Sequence, residues 1–373
     1  MNFKTLTKQA SSWFKTPGGA CDIIIGTMVR AVRNLRGHRF PGWSTAEGRK
    51  AVADILLPVL RELPGNKTGF EAEMKDLSYE QRRILLERKQ LSHCMAARQD
   101  GCHVLINKKQ DITYMVNEEE HLAIHFYESG TDDIQLTKQI QRARKTLAAL
   151  EKRLDIAHNR RDGYLTSMPA ESGSGLQLYT VLQLPCMSIA GMMQQVTRGL
   201  EKLMLNISPF YSELGDDTGH LYVIYTAPLI CGGEEDMANH LRNIVYTLAE
   251  HEMQARLKMT STEEGFSVLI DKISRAYGLL EYARRMEYAE LINTLAMLRM
   301  GTVCGYVQPT DRSPNQFLAE MAACYPTMAP YNMQYITQAV AENCSQEILR
   351  PLLCRNLIKD VIFTQNTLNS EYE

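Results

Sequence analysis

Long apolar runs are missing from this chain of 373 residues: none approaches the ~18 uninterrupted apolar residues that a membrane helix requires. It also lacks any C-x-x-C pair. Its nine cysteines (Cys21, Cys94, Cys102, Cys186, Cys231, Cys304, Cys324, Cys344 and Cys354) are scattered and odd in number, which argues for reduced thiols over a disulfide framework or a thiolate zinc site. Charge of one sign is absent too. A formal net charge of −2 leaves no overall field to draw the protein to nucleic acid or an anionic membrane, so neither is expected as a partner. Met1 to Lys15 has no apolar core followed by a small-residue cleavage site, and a cytoplasmic protein is the expectation. His121 and His125 form the single H-x-x-x-H pair, without an evident third ligand, and no metal site is predicted there. There is no internal repeat and no low-complexity linker.

What remains has the balance of an ordinary folded protein, 45% hydrophobic and 23% charged, with length for two domains. Apolar spacing predicts helices over Ala46–Leu63, closed by Pro64-Gly65-Asn66, and over Ser78–Ala97. Strand-like runs follow at His103–Asn107, Ile112–Asn117 and His121–Phe126, then a charged helix over Asp132–Arg153. Further strands are read at Tyr164–Pro169, Gln177–Pro185 and His220–Ala227, with a helix over Ser188–Leu205. From Met237 onward nearly everything reads as helix, ending in a long stretch over Met333–Phe363. The fold class is therefore α+β with a helical C-terminal part: an N-terminal arm over 1–19, an α+β body over 20–250 and a helical domain over 251–373.

Two acidic segments carry the chemistry. Val116 to His121 holds three consecutive acids, Glu118, Glu119 and Glu120, after a strand-like run, and Glu213 precedes the turn-prone stretch Leu214–Gly219. Taken alone, either is an ordinary solvated loop. Their surroundings change the reading. Asp22 to Asn34 with Phe40-Pro41, Gln81 to Arg88, Val116 to His121, Gly163 to Pro169 and Gly173 to Leu176 resemble, in order, five motifs of the ATP:guanidino phosphotransferases. The helical extension and short N-terminal arm are more similar to the bacterial protein-arginine kinases than to the animal creatine or arginine kinases.

That resemblance implies a phosphagen-kinase-like body, an antiparallel sheet flanked by helices, and a helical domain that pairs two copies. It implies ATP and Mg²⁺ as cofactors and proteins bearing exposed arginines as partners. A small zinc-binding activator protein and the protein-quality-control machinery are further partners by analogy. A guanidinium is planar, cationic and a poor nucleophile, so opposed carboxylates must hold its fork and withdraw a proton. The resemblance gives this work to Glu119, as base, and Glu213 across the substrate, with Glu118, Glu120 and His121 lining the substrate motif.

The donor side departs from the family. Phosphoryl transfer needs cations around the phosphates, and five clamp arginines of the family fall on Met28, Arg30, Ala123, Gln177 and Ser208, so one is matched. A nucleotide-pocket histidine falls on Lys89, and the reactive cysteine of the strand motif falls on Met168. Charged hydrogen bonds contribute roughly 1.5–3 kcal/mol each, so losing four weakens phosphate binding on the order of 10³-fold or more. Acids kept while arginines are lost point to a pseudokinase that binds arginine-containing partners. The alternative is a working protein-arginine kinase with a rebuilt donor site, in which lysines such as Lys89 or Lys202 compensate. The family's phosphoarginine-sensing site has its nearest equivalent at Arg350 and Arg355.

Overall fold

The computed structural model describes residues 1–14, 22–130, 136–227, 233–337 and 345–364. Cys21, Cys231, Cys344, the start of the helix expected from Asp132, and 338–344 of the long C-terminal stretch lie outside them. The strands are β1 (Ile24–Arg33), β2 (Phe70–Glu73), β3 (His103–Ile106), β4 (Ile112–Val116), β5 (Leu122–Ser129), β6 (His158–Asn159), β7 (Gly163–Tyr164), β8 (Leu176–Gln183), β9 (Leu205–Pro209), β10 (Leu221–Thr226), β11 (Val307–Pro309) and β12 (Val361–Phe363). Eight of them form one sheet in the order β2-β3-β4-β5-β1-β8-β10-β9, every pair antiparallel.

β1 lies at the centre and nearly all of its residues are buried. A strand covered on both faces reads as a continuous apolar run and loses its alternation, so Asp22–Asn34 was recognisable as a motif and not as a strand. One face of the sheet carries Val29, Ala31, Ile124, Leu178 and Ile224, packed with the helices Ala46–Glu62, Leu136–Glu151 and Glu234–Ser261. The other carries Met28, Tyr127, Val181 and Leu221, which share a core with Trp13 and Phe14 of the N-terminal arm and with helices from Glu263 onward. An antiparallel sheet flanked by helices, with a helical C-terminal part, is thus the observed fold. The division expected at 250/251 falls inside the helix Glu234–Ser261, which is continuous there.

Three expected helices are broken. Ser78–Ala97 is two, Tyr79–Glu87 and His93–Ala97. Ser78 and Gln81 form a reciprocal capping box at the start; Lys89, at φ 54°, turns the chain out of the first helix, and Ser92 caps the second. Ser188–Leu205 becomes Pro185–Ile189 and Met193–Lys202, divided at Gly191 with φ 70°, and its end is the edge strand β9. Met333–Phe363 resolves into Pro330–Thr337, Gln346–Ile358 and β12. The run expected as a strand at Tyr164–Pro169 is extended only at β7 and then enters a single 3₁₀ turn at Pro169–Glu171.

Candidate active site

Directly paired residues of an antiparallel sheet point to the same face. Arg30 pairs with His125 on β5 and with Gln177 on β8; Met28 pairs with Tyr127 and Tyr179; Val32 pairs with Ala123. Val181 pairs with Val223, which pairs with Ser208 on β9. Met28, Arg30, Ala123, Gln177 and Ser208 therefore share one face, spread across five strands or ~19 Å at ~4.8 Å per strand. Their environments differ. Met28 is 6% exposed within the apolar core, and Ala123 is fully buried in a cluster with Val104 and Met115. Gln177 and Ser208 are half-buried.

Arg30 is the one charged residue among these five. Its Nη1 donates to Gln177 Oε1 at 3.2 Å and its Nη2 to Glu118 Oε2 at 3.4 Å. Burial opposes the charge on Arg30, yet Glu118, Tyr179, Glu171 and Glu119 hold its pKa above the ordinary value. Burial would likewise raise the Glu118 carboxyl, but Arg30, a hydrogen bond from Ser92 and His125 keep it below its usual range. His125 stands beside this pair. Burial, with Arg30 adding to it, pushes its imidazole down to about 4, so it is neutral at pH 7. Its Nδ1 lies 3.1 Å from the Tyr127 hydroxyl, which donates to the Lys89 carbonyl at 3.1 Å.

Lys89 then reaches the second acidic segment. Its Nζ donates to Glu213 Oε1 at 3.1 Å and lies 4.9 Å from the Tyr211 ring centroid and 5.1 Å from that of Phe210. Burial lowers the Lys89 pKa, with Glu213 opposing. The loop carrying Glu213 is anchored by the fully buried Tyr211 and by Gly219, whose N–H donates to Asn293 Oδ1 at 2.7 Å. A Cβ at Gly219 would come within 2.5 Å of Ile292 Cγ2, and its φ of 67° also favours glycine. The break after Glu87 is what brings Lys89 to Glu213 and Ser92 to Glu118.

The acidic triplet divides. Glu119 is exposed, and among the described residues no hydrogen bond reaches its carboxylate. Glu120 is buried and accepts from Asn34 Nδ2 at 2.5 Å, Ser167 N at 2.9 Å and Ser167 Oγ at 2.8 Å. His121 is also turned inward: Nδ1 accepts from Leu35 N at 3.0 Å and Nε2 lies 2.9 Å from Arg39 O. Met168 is 55% exposed on the strand-motif loop. The glycine loop is tied to β1, with Val32 N donating to Gly175 O at 2.8 Å and Arg33 Nη1 to Ser174 O at 3.1 Å. Arg33 also pairs with Glu151 at 2.8 Å and stacks on Tyr164.

Lys202 does not join this group. It ends a helix whose Val196 and Leu200 pack on the opposite face of the sheet. Arg350 is buried in the helical part, its guanidinium donating to the carbonyls of Met328 and Met286 at 3.1 Å each and to Gln346 Oε1 at 3.3 Å. Arg355, half-buried, donates to Ala283 O at 2.9 Å. Asp217 accepts from the Tyr222 hydroxyl at 2.9 Å, and Glu171 faces Arg30. Ser92, Tyr127 and Tyr179 join the site and carry no motif, and His125, met in the sequence as half of an H-x-x-x-H pair, stands beside Arg30 and Glu118. The strand registers reveal His125, Tyr127 and Tyr179, and the helix break after Glu87 reveals Ser92. Among the described residues no group of His, Cys, Asp and Glu suits a metal ion, and no helix is long and apolar enough to cross a membrane.

Residues 51–255 match the family profile described as ATP:guanido phosphotransferase, C-terminal catalytic domain. Residues 267–368 match the profile described as protein-arginine kinase McsB C-terminal domain. Protein-arginine kinases of Bacillus cereus (strain AH820) and Bacillus anthracis are each 28% identical over 314 residues, covering 83% of this chain and 86% of theirs. Among solved structures, a lombricine kinase superposes with a TM-score of 0.55 at 20% identity, covering 66% of this chain and 71% of that one. The duplicated taurocyamine kinase of Schistosoma mansoni gives 0.58 at 19% identity over 73% of this chain and 42% of that one. At these identities the structural likeness speaks for the fold.

Proposed function

The chain belongs to the ATP:guanido phosphotransferase family, as a divergent protein-arginine-kinase-like member, and from that premise we propose that it binds arginine side chains of protein partners without transferring a phosphoryl group. Glu119 and Glu213 receive the guanidinium. Glu119 stands free to do so; Glu213 exchanges the Lys89 ammonium for the incoming fork. Glu120 and His121 support the exposed acid from behind by fixing the loops around it.

The observation that carries this reading is the state of the donor face. A triphosphate needs several uncompensated cations. Here Met28 and Ala123 are sealed in apolar clusters, Gln177 and Ser208 are neutral, and Arg30 and Lys89 are each paired with a carboxylate. Glu171 adds a further negative charge near Arg30. These residues do not fit ATP and Mg²⁺. A second reading, an active protein-arginine kinase with a rebuilt donor site, is favoured by one observation: Arg30 and Lys89 remain cationic at the same face.

Calorimetric titration with Mg·ATP, run beside phosphoarginine detection on an arginine-rich protein, separates the two. No heat up to millimolar ATP and no phosphoarginine, with binding of the arginine-rich protein lost in Glu119→Ala or Glu213→Ala, is the expected result. Turnover that Glu213→Ala abolishes would establish the kinase instead.

A further inference from the structure

The chain has two tryptophans, and they have opposite fates. Trp13 is buried at 3% exposure in the core, whereas Trp43 is 79% exposed. A tryptophan in open water leaves its large apolar ring unburied, and tryptophan is among the residue types that concentrate binding energy at interfaces. Among the described residues no aromatic ring or cation packs on Trp43.

Its segment is held firmly. Trp43 N–H donates to Phe40 O at 2.9 Å and closes a 3₁₀ turn over Pro41–Trp43, with Pro41 buried beneath it. Phe40 stacks on the His121 ring, centroids 6.1 Å apart and planes at 26°. Arg49 Nη1 donates to Ser44 O at 2.8 Å on the far side.

The segment 39–49 also runs beside the acidic turn 117–121 and is tied to it at both ends. Asn117 Nδ2 donates to Arg49 O at 2.7 Å, and His121 Nε2 meets Arg39 O at 2.9 Å. Between these ties the turn exposes Glu119 and the neighbouring segment exposes Trp43. An exposed carboxylate and an exposed indole, neither with a side-chain partner among the described residues, are thus carried on two segments tied to each other.

We propose that Trp43 is a docking platform for the apolar side chains that flank the arginine received by Glu119. This inference rests on the guanidinium-binding reading above and adds the part of the partner that reading leaves unaddressed. The occupant is an extended peptide with apolar side chains next to its arginine: the carboxylate takes the cation and the indole covers the neighbouring apolar side chains, each by its own chemistry.

The test titrates the full chain with two probes, blocked arginine amide and a short blocked peptide carrying one central arginine flanked by leucines. The peptide is expected to bind more tightly. Trp43→Ala should weaken peptide binding roughly tenfold or more and leave the amide unchanged, Trp43→Phe should retain part of the gain, and Glu119→Ala should weaken both probes. Tryptophan emission, to which the exposed Trp43 contributes the solvent-sensitive part, should shift to the blue with the peptide and stay put with the amide. Peptide affinity unchanged in Trp43→Ala but lost in Glu119→Ala would overturn the platform and leave the guanidinium site standing. If neither probe binds, the guanidinium reading falls and takes this inference with it.

Discussion

Glu118, Glu119 and Glu120 are neighbours in sequence, yet their carboxylates meet a guanidinium, water and a set of loop donors respectively. The turn that bears them, closed by Asn117 N donating to His121 O at 2.9 Å, fans consecutive side chains apart, so each acid takes a different task. At Glu213 the arrangement is tighter. Lys89 already supplies the cation that a substrate arginine would bring, and it sits over Tyr211 and Phe210 while doing so. An incoming guanidinium must displace it. Lys89→Met, which keeps the stem and removes the charge, should therefore raise affinity for blocked arginine amide by roughly 3- to 10-fold, an ion-pair-sized effect of about 1 kcal/mol for a partly exposed pair. Calorimetry on the two proteins decides it; equal or weaker binding would mean that Lys89 helps to hold the substrate.

Among the elements, the short helix Tyr79–Glu87 couples the site to the helical part. Its last residue, Glu87, accepts the backbone N–H groups of Tyr331 and Asn332 at 3.1 Å, at the start of the helix Pro330–Thr337, with Arg83 and Arg350 facing it. Burial outweighs these partners and raises the Glu87 carboxyl to about 7. The folded state then holds a proton that the unfolded chain, with an ordinary pKa of 4.5, gives up first. The stability from this group is complete below the unfolded value and is lost as pH rises through about 7, on the order of 2–3 kcal/mol. Thermal unfolding followed from about pH 5 to about pH 8 should show a falling midpoint, and Glu87→Gln should flatten that slope. A slope unchanged in Glu87→Gln would assign the dependence to another group.

The same helix shows where sequence reading stops. Helical spacing identified Ser78–Ala97 as apolar on one side, and the capping box at Ser78 was there to be read. The break at Lys89 was not, because Lys in the left-handed region follows from what surrounds it: the Tyr127 hydroxyl takes the Lys89 carbonyl and Glu213 takes its ammonium. β1 hid for a related reason, being buried on both faces. The five clamp positions were reachable through motif order, and the registers gather them on one face. Whether a position is sealed, as at Ala123, or half-open, as at Gln177, depends on helices distant in sequence.

At the scale of the whole molecule, Arg88 is the common point of three regions. It is fully buried and among the described residues has no acidic partner; its guanidinium donates to Gln9 O in the N-terminal arm, to Gln110 Oε1 at 2.9 Å beyond β3 and to Asn332 Oδ1 at 3.4 Å in the helical part. Burial pushes its pKa down to about 9. Arg88→Ala removes the donor from four acceptors, Gln90 Oε1 at 3.0 Å among them, and each buried acceptor left without a donor costs about 1–3 kcal/mol. Denaturant unfolding should therefore show a loss of about 3–5 kcal/mol, with faster amide exchange in residues 3–14. A loss below about 1 kcal/mol would show that the three regions are held together by apolar packing alone.

That packing has its own consequence. Tyr127, Val181, Tyr211 and Leu221 of the sheet half share a single core with Leu269, Leu291, Phe317 and Tyr325 of the helical half. A premature stop codon near residue 250 would thus do more than delete a terminal segment: it would lay bare one side of the sheet in the newly made chain. Such a truncation is a lesion of solubility before it is a lesion of function, and a fragment expressed to isolate the first half would collect in the pellet.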